Sequence, residues 1–78
     1  MTIFQQLEAA AKAKNIRYSI IGDQIGLALK DCVFYWFMDL GAGGVIFTHK
    51  YSQNTGKSSR AGRYKAYEFL KRRTGVDA

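Results

Sequence analysis

The sequence predicts an α+β fold: a helix, an antiparallel meander of three or four strands and a C-terminal helix, with both helices on one sheet face. Three observations predict it. The chain has 78 residues, enough for one domain, 1–78, and 47% are apolar, enough for one small core and too many for a disordered tail. Apolar residues recur at helical spacing only towards the two ends. Between the ends lie β-rich runs separated by short turn signals, and strands joined by short connections pair antiparallel.

Thr2 and Gln5 have the spacing of a capping box, and Ile3, Phe4, Leu7, Ala10 and Ala11 form a stripe behind it, so a helix is expected over residues 3–14. Asn15 suits the left-handed position after its last turn. Residues 17–21 are extended, Gly22 and Asp23 form a turn, and residues 24–29 make a second strand weakened by Gly26. Lys30 and Asp31 make a tight connection. Residues 32–38 are β-branched and aromatic almost throughout and form the strongest strand. Residues 39–44, with three glycines, read as a hairpin loop, and residues 45–49 as the partner strand. Residues 50–60 are polar and turn-rich. Ser58 or Ser59 is expected to cap a second helix running to about Arg73, with Gly75 as its stop. Ala66, Phe69 and Leu70 share one side of that helix with Tyr67 beside them, while Lys65, Glu68, Lys71 and Arg72 share the other.

Both faces of the central strand are apolar. Tyr35 and Phe37 alternate with Phe34, Trp36 and Met38. One set must be core; the other is more aromatic surface than solubility requires and reads as a contact site or a dimer interface.

The net charge of +6 is lopsided. In residues 1–49 the four cations Lys12, Lys14, Arg17 and Lys30 are cancelled by Glu8, Asp23, Asp31 and Asp39. Residues 50–78 hold eight cations against Glu68 and Asp77, so the whole net charge sits in the last 29 residues. That is the electrostatic footprint of a phosphate-binding face.

Catalytic constellations are weak. Cys32 and His49, the single cysteine and histidine, would meet only in a hairpin centred on residues 41–43, and a cysteine in an apolar strand is usually a small core residue. Asp23, Asp31 and Asp39 recur every eight residues, but all three sit at turn signals, where aspartate bonds its own backbone. Gly56-Lys57-Ser58 fails as a P-loop because Tyr51 stands where the first glycine is needed. It leaves a glycine-containing loop before a capped helix, whose free amides, with Lys57, Arg60 and Arg63 around them, suit a phosphate. No enzyme activity, metal or cofactor is expected. One cysteine excludes a disulfide framework, no apolar run reaches the 18 or so residues that span a bilayer, and no signal-peptide pattern opens the chain. The expectation is a cytoplasmic protein without a membrane partner.

The segment Gly56-Lys57-Ser58-Ser59-Arg60-Ala61-Gly62-Arg63-Tyr64-Lys65-Ala66, closing a helix–strands–helix order, resembles the double-stranded RNA-binding domain. Gly56, Ser58, Arg60, Gly62, Arg63 and Ala66 fall at positions matching that family's last helix and its approach, although Ser59 stands where a lysine is usual. Leu7 and Glu8 resemble the acidic position that reaches into a minor groove. The resemblance implies shape-based binding of duplex RNA: Lys57, Ser58, Arg60, Arg63 and Lys65 on phosphates, and Gln5 and Glu8 near 2′-hydroxyls. Lys71 and Arg72 extend the basic face of the second helix. The residues leave RNA against DNA open. They also leave open a version in which Tyr35 and Phe37, or Trp36, stack single-stranded bases. A third reading is a non-enzymatic inhibitor or adaptor, of the kind encoded by viruses and mobile elements, docking on an acidic protein surface. A homodimer is compatible with each.

Overall fold

A computed structural model describes residues 2–41, 43–60 and 62–77. Ala42, within the loop expected at 39–44, and Ala61, within the segment resembling an RNA-binding domain, lie outside the described residues. The first helix, α1 (Ile3–Ala13), begins at the predicted capping box: Gln5 N donates to Thr2 Oγ1 at 3.2 Å, and Thr2 N donates to Gln5 Oε1 at 3.0 Å. Asn15 follows with φ 55°, in the left-handed conformation that asparagine tolerates.

Five strands come next: β1 (Tyr18–Ile21), β2 (Gln24–Lys30), β3 (Val33–Asp39), β4 (Val45–Ser52) and β5 (Lys57–Ser59). They form one antiparallel sheet in chain order, because each connection is too short for any crossover. The strand at residues 24–29 is real and runs to Lys30. The fifth strand extends the predicted meander. Lys50 pairs with Ser59, Tyr51 with Ser58 and Ser52 with Lys57, closed by a turn in which Gly56 takes φ 68°. Ser58 and Ser59 are therefore in a strand, and the N-cap position of the last helix falls on Gly62. The last helix, α2 (Arg63–Thr74), starts later than the serines suggest, behind Gly62 at φ 82°, and ends as predicted at Gly75 in the left-handed conformation.

Both helices contact β2, and α2 also contacts β4 and α1. They cover the face carrying Ile25, Leu27, Tyr35, Phe37 and Phe47, which with Leu7, Ala66 and Leu70 form the core. Phe37 packs against Phe47 and Tyr67 at centroid distances of 5.7 and 5.9 Å, and Tyr35 meets Phe69 edge-on at 5.9 Å. Burial pushes the Tyr35 phenol above its ordinary value of 10.0, so it stays protonated. The even-numbered set of β3, Phe34, Trp36 and Met38, faces away from the helices and is half-buried.

Candidate functional site

Cross-strand register decides what the helix-free face presents. Ser19, Gly26, Trp36 and His49 form one row across β1 to β4; Ile21, Gln24, Met38 and Ile46 form the next; Phe34, Tyr51 and Ser58 form a third. Trp36 occupies the centre. A Cβ on Gly26 would lie 2.5 Å from its Cε2 and 2.6 Å from its Cζ2, so the six-membered ring rests directly on the β2 backbone. Gly26 has no positive φ; its lack of a side chain is what matters.

On the other side, His49 runs nearly parallel to the indole, at 10° and a centroid distance of 6.2 Å. A bulge between Trp36 and Phe37 places Thr48 beside His49 without a strand partner of its own. Thr48 Oγ1 donates to the Trp36 carbonyl at 3.2 Å and lies 3.0 Å from His49 Nδ1. A hydroxyl has one proton. With that proton on the carbonyl, the Thr48–His49 contact is made by Nδ1–H donating to Oγ1.

Around the aromatic centre stand cations. Arg17 lies over the Phe34 ring, 5.6 Å from its centroid, and is held by Gln53 Oε1 at 2.8 Å. Arg60 and Arg63 border a depression with Met38, Ile46 and Thr48, and Arg60 borders a second with His49 and Ser58. Ile21, Gln24, Trp36, His49 and Tyr51 line a third that crosses four strands. Ile21 is 66% exposed. No strand residue in these three rows is acidic.

The predicted site residues divide among several places. Arg60 borders the helix-free face beside His49 and Ser58, and Arg63 joins it at a depression on the β4 edge that also takes in Phe47; Ser58 lies on that face in β5. Lys57 faces the helix side of the sheet, in a row with Ser52, Val33 and Lys30. The phosphate cradle expected at a serine-capped helix end is thus not assembled: α2 has no side-chain cap, and Lys57 is turned away from Arg60 and Arg63. Lys65 is exposed on α2. Lys71 and Arg72 lie in its last turn, Lys71 3.8 Å from Asp77 and Arg72 3.3 Å from Glu68. Gln5 is committed to the capping box, and Glu8 lies 3.6 Å from Lys12. Cys32 and His49 do not meet. Trp36 is the partner of His49, and Cys32 lies four residues before Trp36, in the turn ahead of β3, about 13 Å away. Among the described residues no group of three or more His, Cys, Asp or Glu side chains could hold a metal ion. No described helix is long and apolar enough to cross a membrane.

The sequence reading missed Arg17, His49 and Tyr51 as members of one surface. Strand pairing brings them together, and the only signal for it was the doubly apolar pattern of residues 34–38. No protein-family model, curated protein or solved structure matches the chain.

Proposed function

We propose that this chain is a nucleic-acid-binding module whose helix-free sheet face takes single-stranded segments. One observation carries the reading: Trp36 is laid flat on a glycine at the centre of an uncovered sheet face, with aromatic rings around it and arginines at the border. A core indole has no need of this arrangement, since the helices lie on the opposite face. For a nucleobase, a flat ring offers stacking worth about 1–3 kcal/mol per base, whatever the base. Arg17 on one side and Arg60 and Arg63 on the other supply charge for the phosphates on either side of a stacked base. The +6 net charge raises the local concentration of any polyanion.

The same arginines would serve a duplex, and the apolar face would serve a protein partner. The test separates the three. Trp36 is the single tryptophan, so its emission reports the face directly. Titration with a six-nucleotide oligothymidylate at low salt is expected to quench it saturably, while 20-base-pair RNA and DNA duplexes leave it unchanged. Oligothymidylate that binds without quenching, or duplexes that quench as strongly, would overturn the stacking reading in favour of contacts to phosphates alone. Failure of every nucleic acid, together with a partner retained after nuclease treatment, would overturn nucleic-acid binding altogether.

A further inference from the structure

The helix side of the sheet carries a second basic feature, distinct from the aromatic face and independent of the reading above. Lys30 pairs with Val33, Val33 with Ser52 and Ser52 with Lys57, so the ends of this row across four strands are lysines. In the adjoining row Tyr35 pairs with Lys50. Pairing partners share a face, and residues two apart along a strand share it too, so Lys30, Lys50 and Lys57 project from the same side. They line one open depression of about 270 Å³, together with the hydroxyl residues Ser52 and Thr55.

Three ammonium groups gathered at one depression repel each other unless something negative lies among them. No carboxylate lines it, and none of the three lysines is in an ion pair among the described residues. Lys50 is half-buried, and its Nζ would lie 3.5 Å from a Cβ at Gly62, beside the positive end of α2. The surroundings therefore add to the positive potential. A floor of Val33 and Tyr35 lowers the local dielectric and strengthens the attraction for an anion.

The geometry points to a phosphate-binding site in this trough: Lys30, Lys50 and Lys57 neutralise the anion, and the hydroxyls of Ser52 and Thr55 donate to its oxygens. A compact tetrahedral anion suits three point-charge donors on flexible stems, whereas a planar carboxylate is better matched by an arginine fork. The phosphate can come from the end of a nucleic-acid strand or from a free nucleotide.

The test is a titration of ¹⁵N-labelled protein with inorganic phosphate, against sodium chloride at matched ionic strength. Saturable shifts centred on the amides of Ser52, Thr55 and Lys57 are expected. The double variant Lys30→Gln/Lys57→Gln, at two exposed positions, is expected to weaken binding about ten-fold or more, and Lys50→Gln to do the same if its thermal midpoint is retained. Shifts that grow linearly at every basic residue, or that chloride reproduces, would overturn the site. So would unchanged affinity in the folded double variant. Thymidine 5′-monophosphate and a six-nucleotide strand with or without a 5′-phosphate distinguish the sources. Tighter binding of the phosphorylated strand assigns the trough to strand ends; equal binding of the mononucleotide assigns it to free nucleotides. Inorganic phosphate should leave Trp36 emission unchanged, so failure here does not touch the sheet-face reading, and failure there does not touch this one.

Discussion

Gly26 is the residue on which the aromatic face depends. In the sequence it looks like a flaw in a strand, because glycine packs nothing and loses much backbone freedom on folding. The structure gives it a purpose: any side chain at position 26 would occupy the volume of the Trp36 ring. Gly26→Ala leaves the backbone comfortable and forces the indole off the β2 backbone. The expected cost is about 1–2 kcal/mol, a fall in Tm of roughly 4–16 °C for a domain of this size. Trp36 emission should shift to the red, and quenching by oligothymidylate should weaken while the phosphate titration is unaffected. Unchanged emission in the variant would show that the ring is not seated on the glycine. The same residue explains why sequence alone could not choose between the two faces of β3. Tyr35, Phe37, Phe34 and Trp36 are equally good strand residues, and what separates them is a vacancy on β2 that appears only once Gly26 and Trp36 are paired.

At the level of elements, the helices and strong strands were legible and the β4–β5 end was not. Thr2 with Gln5, Asn15 and Gly75 act within one turn of chain, so their meaning is local and survives folding. Ser58 and Ser59 have an equally good local meaning as caps, but pairing with Tyr51 and Lys50 overrides it. β5 is only three residues long, so the Val45–His49 part of β4 extends beyond it, and the bulge at Thr48 disturbs the ladder on its other side. Part of this free edge is closed by a side chain: Phe47 N donates to Tyr67 Oη at 2.7 Å, which also docks α2 on β4. Tyr67→Phe keeps the ring contact with Phe37 and leaves that amide without its acceptor. The expected loss is about 1–3 kcal/mol, read as a lower urea midpoint, with faster hydrogen exchange at Phe47 than at its neighbours. A midpoint within error of the parent would mean that water replaces the hydroxyl and that the edge is open.

For the whole molecule, the question is where +6 acts. Division of the chain at residue 49 assigned all of it to the C-terminal part, which is correct as a sum and misleading as a map. Lys71 and Arg72 are spent on Asp77 and Glu68, and they sit at the end of α2 where the helix dipole already favours cations. Arg17 and Lys30, from the balanced part, are carried by β-pairing to the aromatic face and to the lysine trough. On the sheet, Arg17, Arg60 and Arg63 thereby border the aromatic face and Lys30, Lys50 and Lys57 the opposite one, while Arg72 and Arg73 stay on α2, over Phe69 and on the Leu29 carbonyl. This sorting has a measurable slope. If Arg17, Arg60 and Arg63 each engage a phosphate of a six-nucleotide strand lacking a terminal phosphate, log K should fall with log salt at a slope of about −2, so affinity drops about 20-fold between 50 and 200 mM salt. Arg60→Ala/Arg63→Ala should reduce that slope to below about −1 in magnitude, because two of three contacts are gone, with little effect on stability at two exposed positions. Lys30→Gln/Lys57→Gln should leave the slope for this strand unchanged. The reverse pattern, a slope controlled by the lysines and indifferent to the arginines, would place the backbone of the strand on the helix side and leave the aromatic face for another partner.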